Sequence, residues 1–458
     1  MSKMLKKHSS SRIRWRRHGL IGFVLVAIAY GSFACERAVP VDSVRERLAG
    51  LDRPNLVLIV VDTLRADWMT PYGFSGEYEE ETSPELARWG ARGVVFERAR
   101  AQSSWTKMSM ASMMTSLWPR SHGIREPNDG LADGAYTLAE VLSEAGYHTY
   151  GVQTNGWLDQ SFGFQQGFDR YVFPAGKGAE SLPKPTIWPH ADRVYKEAVR
   201  LIDGNPTDEP FFLYLHFMDV HEYAAPLEFK AFGSDAKGAY LAGIRWVDDA
   251  IERIREKLDD AGVLDQTVIV FASDHGETFG ENGKHGHARN VLTPVLRVPL
   301  VIRFPFKMEP IRVNAQVRNA DIAPTLVELA GEPIPESFEG RSLLPLLWGA
   351  DDGNRDSFAA LGFPLFRDAS IQVSVSDGSW SYARNVEPDP NPAEFLFDRA
   401  VDPEENVNLI DLEPAMAATM RSLMDEHLSH APVSAVRGTD VRIDPAIADR
   451  LRAMGYLQ

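Results

Sequence analysis

Apolar residues fall along this chain in short, β-branched runs separated by longer amphipathic stretches. Asn55-Leu-Val-Leu-Ile-Val-Val61 is apolar at every position after its first and ends in Asp62, the pattern of a strand buried on both faces in a parallel sheet. The same grammar returns at His148–Gln153, Phe211–His216, Thr267–Ala272 and Val298–Arg303, with helical spacing of apolar residues at Gly238–Ala261 and Ala323–Ala330. Strands and helices in alternation predict an α/β fold, with a mostly parallel central sheet flanked by helices. After Gly340 the rhythm shortens. Ser370–Val375, Ser379–Arg384 and Phe395–Asp398 read as strands and Pro414–His427 as a helix, which predicts a smaller C-terminal α+β subdomain packed on the main sheet. The expected organisation is residues 1–34 as a signal peptide or membrane anchor, 35–53 as a linker, 54–350 as the main domain and 351–458 as the subdomain.

The first segment earns its assignment from charge. Lys6, Lys7, Arg12, Arg14, Arg16 and Arg17 precede the apolar stretch Leu20 to Ala34, whose roughly 15 residues suit the apolar region of an export signal and fall short of the roughly 20 a bilayer span needs. The single cysteine, Cys35, follows Gly31-Ser32-Phe33-Ala34. It can form no disulfide within the chain, and it stands where a bacterial lipoprotein is cleaved and acylated. A lipid anchor at Cys35, a soluble periplasmic form and an uncleaved anchor are the three outcomes, all of which place the protein in the cell envelope.

Charge then narrows the partners. The formal net charge is −16, and the first 34 residues carry seven Lys/Arg and no acid, so the remainder carries about −23. A surface that acidic excludes nucleic acid as a natural partner.

Candidate chemistry gathers at strand ends, where open α/β sheets bind ligands. Asp62 ends one strand, Asp274-His275-Gly276-Glu277 follows another, and Thr106 opens the helix-compatible segment Lys107–Thr115. That last position would set a hydroxyl near helix N-terminal amides suited to an anion. Taken singly, Asp62 and Thr106 read equally well as helix N-caps. The spaced Met108, Met110, Met113 and Met114 read as core filler, and His216, His148 and His122 as structural. The stretch Phe173–Pro189, rich in Gly, Pro and Lys, reads as a surface loop.

Val61-Asp-Thr-Leu-Arg-Ala-Asp67, Ser104-Trp-Thr-Lys-Met-Ser-Met-Ala-Ser-Met-Met-Thr115, Ser273-Asp-His-Gly-Glu277 and Leu296-Arg-Val-Pro299 occur in that order. Asp321-Ile-Ala-Pro-Thr325, Glu339-Gly-Arg-Ser-Leu343, Phe395-Leu-Phe-Asp398 and Asp402-Pro-Glu-Glu-Asn406 follow them. Together they resemble the sulfatase family of the alkaline phosphatase superfamily over residues 54 to 412. The resemblance implies that superfamily's fold and a divalent metal held by Asp62, Thr106, Asp274 and His275. It further implies that His221 and His287 contact the ester or assist the leaving group, which makes Thr106, His221 and His287 the catalytic candidates. Asn155, Lys284 and Arg289 are neighbourhood candidates.

The family pattern breaks at the nucleophile. Formylglycine sulfatases carry Cys or Ser in a Cys/Ser-x-Pro-x-Arg segment, whereas this chain reads Thr106-Lys107-Met108-Ser109-Met110. Oxidation of Thr at its β-carbon would give a ketone, so the aldehyde mechanism is closed to it. A Thr here resembles phosphoethanolamine and glycerol-phosphate transferases and superfamily phosphodiesterases, which implies a phosphate ester attacked by a metal-activated alcohol. Two alternatives stand beside that reading: a sulfuric ester hydrolase without formylglycine, and a non-catalytic member that binds anionic glycans or lipid headgroups. Thr63 also replaces a second family Asp, and the mixed donor set left behind suits one Mn²⁺ or Zn²⁺ better than Mg²⁺ or Ca²⁺.

Overall fold

The computed structural model describes residue 40 and residues 43–453, apart from 77, 175–189, 207–208, 352, 354, 368, 387–392, 431–435 and 437. The export segment with Cys35, and most of the Phe173–Pro189 stretch, lie outside the described residues.

The main sheet has nine strands. In chain order they are β1 (Asn55–Val61), β2 (Val94–Arg100), β3 (His148–Val152), β4 (Arg170–Val172), β5 (Phe211–Phe217), β6 (Thr267–Ser273), β7 (Arg297–Val298), β8 (Leu300–Arg303) and β9 (Ile311–Arg318). Strand β1 lies at the centre, parallel to β5 on one side and β6 on the other, with β3 and β4 continuing beyond β5 in the same sense. On the far side β8 runs antiparallel between β6 and β2, and β9 pairs parallel with β2. The run Val298–Arg303 is thus a strand that departs from the parallel plan. Pro299 interrupts it, since it lacks a backbone donor.

Every residue of β1 is buried. Its alternation divides the protein into two cores, one on each face of the sheet. Leu56, Leu58 and Val60 share a cluster with α1 (Thr106–Thr115) and α4 (Ile322–Leu329), while Val57, Ile59 and Val61 pack with α2 (Ala191–Asp203) and α3 (Ala236–Asp260). All ten residues of α1 are buried, and its methionines are core filler as expected. A helix enclosed on all sides needs no polar face.

The C-terminal part is a four-stranded antiparallel sheet of β10 (Ser357–Leu361), β11 (Gln372–Ser376), β12 (Trp380–Asn385) and β13 (Glu394–Asp398), covered by α5 (Pro414–His430). Its own core joins Val375, Tyr382 and Leu396 to Ala417, Met420 and Met424.

Two of the ordered motifs hold elements together. Asp321 is buried between Arg318 at 2.6 Å and Arg355 at 3.0 Å, which holds its carboxyl below the ordinary range: burial alone would raise it, and the two guanidinium groups outweigh burial. Glu339 accepts from the Trp118 amide at 2.6 Å and the Ser121 hydroxyl at 2.9 Å, beyond the end of α1. Among the described residues, no helix is long and apolar enough to cross a membrane.

Candidate active site and metal centre

Strands β1, β5 and β6 are neighbours, so their carboxyl ends deliver Asp62, His216 and Asp274 to one place. One ligand atom from each lies within 4.8 Å of the others. All three side chains are buried, and Asp62 Oδ1, Asp274 Oδ2 and His216 Nε2 have no hydrogen-bond partner among the described residues. Three buried acceptors facing one another are costly unless a cation sits between them. The donor set fits the divalent metal that the sequence implied.

His216 enters this centre against expectation, because a histidine inside an apolar strand reads as structural. The Thr154 hydroxyl donates to the His216 carbonyl at 3.0 Å, so the His216 Nδ1 proton is donated to Thr154 Oγ1, also at 3.0 Å. Nε2 is left with its lone pair, 3.6 Å from Asp62 Oδ2. Burial lowers the ring to about 3, with the charges of His221 and His275 adding to it. A neutral imidazole presenting a lone pair to a carboxylate is a metal-ligand posture.

His275 is built the same way. Its Nδ1 faces the Gly276 carbonyl at 3.0 Å, and its Nε2 lies 3.2 Å from Thr106 Oγ1 and 3.3 Å from Asp274 Oδ2. Thr106 Oγ1 is also 3.4 Å from Asp62 Oδ2. The structure therefore brings Asp62, Thr106, Asp274 and His275 together, with His216 added. Thr106 is the first residue of α1 and Trp105 occupies the cap position, so its hydroxyl serves the site and not the helix terminus.

Around this centre, neighbouring side chains fix the carboxylates. Asn155 donates to Asp62 Oδ2 at 2.8 Å and reaches Thr106 Oγ1 at 3.5 Å, while its own oxygen accepts from the Trp157 amide at 2.9 Å. The backbone amides of Thr63 and His275 donate to Asp274 Oδ1 at 3.2 and 2.8 Å. Thr63 adopts φ 60°, a rare conformation for a β-branched residue, and its hydroxyl turns back to the Asp62 carbonyl at 2.7 Å. Burial first, and mutual repulsion at Asp62, push the carboxyls of Asp62 and Asp274 up to about 7.

The two remaining catalytic candidates stand beside His275. The His275 and His287 rings are 4.7 Å apart, and those of His287 and His221 are 4.9 Å apart. His221 Nδ1 is 3.2 Å from Glu222, and His287 Nδ1 is 3.3 Å from Glu277, whose same oxygen accepts from the Tyr223 hydroxyl at 3.2 Å. Burial would lower His221, but the Glu222 hydrogen bond and the charges of Asp62, Glu222 and Glu277 outweigh it and raise the ring to about 9. His287 goes the other way, pushed well down by burial and by the nearby His275, His221 and Arg289 charges. One imidazole is thus held protonated at neutral pH and its neighbour is held neutral.

Of the neighbourhood candidates, Asn155 belongs to the centre. Arg289 donates to the His287 carbonyl at 3.0 Å and lies over the Phe366 ring at 3.8 Å. Lys284 sits half-buried in the turn before His285. Lys107, adjacent to Thr106, points away and donates to the Pro127 carbonyl at 2.8 Å with its ammonium over Phe162.

The family model described as Sulfatase covers residues 54–332, and that described as N-sulphoglucosamine sulphohydrolase, C-terminal, covers residues 280–431. The chain belongs to the sulfatase family. As a sulfatase-family protein it falls among ester hydrolases. It is 24% identical over 413 residues to an ulvan-active sulfatase of Formosa agariphila, covering 78% of this chain and 77% of that protein. It is also 24% identical over 492 residues to an N-acetylgalactosamine-6-O-sulfatase of Bacteroides thetaiotaomicron, covering 81% and 93%. Among solved structures, one in complex with its substrate D-glucosamine-2-N,6-O-disulfate superimposes at TM-score 0.68 with 17% identity, covering 84% of this sulfatase-family chain and all of the other. That likeness carries the fold. These relatives are sulfatases, so they weigh toward a sulfuric ester and against the phosphate ester that a Thr at the nucleophile position implies.

Proposed function

We propose that this protein hydrolyses a sulfuric ester on a sugar, at a single divalent metal held by Asp62, Asp274, His275 and His216, with the Thr106 hydroxyl as nucleophile. The observation that carries the reading is the position of Thr106 Oγ1, within 3.4 Å of both Asp62 and His275 and beside the three orphaned acceptor atoms. The sulfated sugars named for the relatives support the substrate class. Two carboxylates with two imidazoles suit Mn²⁺ or Zn²⁺.

A cation bound there supplies positive charge that favours the ionised hydroxyl and draws negative charge off the ester oxygens. The chain's own residues do the remainder. Asn155 holds Asp62 in place beside Thr106, and Asp274 is fixed by two backbone amides, so the Thr106 oxygen has little freedom of aim. With the cation held, the Thr106 hydroxyl would lose its proton to solvent; its oxygen bonds to sulfur as the sugar oxygen leaves, and that oxygen takes the proton of His221, protonated at neutral pH. His287, neutral, then takes a proton from the water that releases sulfate from Thr106.

A phosphate ester is the second reading, and one observation favours it. The nucleophile position holds an unmodified alcohol, and the formylglycine route is unavailable to Thr106. The purified protein, supplied with Mn²⁺ or Zn²⁺, should be assayed on matched aryl sulfate, aryl phosphate and phosphodiester substrates. Faster sulfate release supports the first reading, and faster phosphate release replaces it with the second. No turnover with any metal removes both and leaves an anion-binding role. The basic and apolar start of the chain supports export to the cell envelope as the setting.

A further inference from the structure

On the outer strands of the sheet, arginines collect on one face. Arg98 and Arg100 lie two apart on β2 and so share a face. Arg297 of β7 is directly opposite Arg100, while Gln316 and Arg318 of β9 are opposite Arg98 and Arg100 from the other side. Opposed residues point the same way, and like charges in that position repel. Arg399 reaches the same place from the loop after β13, donating to Gln316 Oε1 at 3.2 Å and Ser376 Oγ at 3.0 Å.

The compensation is incomplete. Arg318 is neutralised by Asp321 at 2.6 Å. For Arg100 and Arg399 the carboxylate at hand is Glu405. It accepts both the Thr293 amide at 2.7 Å and the Thr293 hydroxyl at 2.6 Å, and Arg100 reaches it only through that hydroxyl. Arg399 Nε stands 3.9 Å from Glu405, with no hydrogen-bond partner among the described residues, on a side chain only 6% exposed. Burial, then the neighbouring arginines, lower Arg399 to about 9. A buried guanidinium with an unused donor, beside three further arginines and a Glu405 already bound to Thr293, lacks an anion.

We propose that this cluster binds one small tetrahedral oxyanion, free inorganic sulfate or phosphate, between β2 and the C-terminal sheet. Burial of Arg399 leaves no access for a sugar ester, whereas the half-buried Arg98 and Arg297 open the cluster to a small ion. The motif Leu296-Arg-Val-Pro299 and the closing Asp402-Pro-Glu-Glu-Asn406, neither of which the metal centre uses, both contribute to it. The site is independent of the ester that the protein hydrolyses.

The test is equilibrium dialysis of the full chain against radiolabelled inorganic sulfate, at constant ionic strength set with chloride. The wild type is expected to hold one more saturable sulfate than Arg399→Gln. Arg98→Gln should weaken that sulfate about tenfold, the loss of one charge-assisted hydrogen bond. Should Arg399→Gln fail to fold, Arg98→Gln and Arg297→Gln carry the comparison, because both side chains are partly exposed. In parallel, sulfate should raise the thermal midpoint of the wild type more than that of Arg98→Gln. Equal sulfate affinity and stoichiometry in the wild type and Arg98→Gln, or no saturable binding at this face, overturns the proposal.

Discussion

His216 has its Nδ1 proton committed to Thr154 and its Nε2 lone pair turned to buried carboxylates. Replacing it with Ala removes a nitrogen donor, so His216→Ala should bind Mn²⁺ or Zn²⁺ about 100-fold more weakly than wild type, measured by metal titration and elemental analysis. If metal affinity is unchanged, His216 is not a ligand. Asn155→Ala removes the hydrogen bond that orients Asp62 and should lower kcat about tenfold with the fold intact. The difference between these residues and the others is one of legibility. Asp62, Asp274 and His275 announce themselves as polar residues at the end of apolar runs, and Thr106 by its place in an ordered motif. His216 lies inside its strand, flanked by Leu215 and Phe217, where a histidine reads as core. What marks it, its register beside Val60 of β1, is visible only once the strands are paired.

Elements show the same division. Strands β1, β5 and β6 were legible because both faces are almost wholly apolar. Strand β2 was not, because Glu97, Arg98 and Arg100 interrupt the pattern, and the reason lies in the partners those residues meet across the sheet. As a helix N-cap, Asp62 would precede a helix over Leu64–Met69, and that segment forms only a short 3₁₀ turn, Ala66–Trp68. Two motifs that the sequence marks only by their order, Asp321–Thr325 and Glu339–Leu343, prove to be joints. Gly340 shows this most sharply, because a Cβ there would lie 2.1 Å from the Ala320 carbonyl oxygen. Backbone cannot yield as a flexible side chain does, so Gly340→Ala should destabilise the protein by about 3 kcal/mol in urea unfolding. Metal affinity measured under native conditions should be unaffected. A neutral effect on stability would mean that the junction between α4 and the loop after α1 adjusts freely.

For the molecule as a whole, the metal centre ties stability to pH. In metal-stripped protein the carboxyls of Asp62 and Asp274 sit at about 7, above the 3.8 of an unperturbed Asp, chiefly through burial. The native state then binds more protons than the unfolded chain between those values. Their contribution is fully present below about 4 and is lost as pH rises through 7. Because a cation needs both groups ionised, added Mn²⁺ should raise the thermal midpoint more in mildly alkaline than in mildly acidic buffer. Equal shifts in the two buffers would place metal binding elsewhere. The family was legible from the order of motifs along the chain, and the α/β plan from the alternation of apolar runs with helical spacing. Substrate class was not, since the residues nearest Thr106 depart from the formylglycine pattern and the relatives, not the spacing, weigh toward sulfate.

The most direct test of the central claim is release of inorganic sulfate from an aryl sulfate by metal-loaded wild type and Thr106→Ala, side by side with phosphate release from the matched aryl phosphate. The expected result is sulfate release faster than phosphate release in the wild type, with the variant slower by about 10³-fold or more, a loss of about 4 kcal/mol in transition-state stabilisation. Full sulfate release by Thr106→Ala, or faster turnover of phosphate by the wild type, would contradict it.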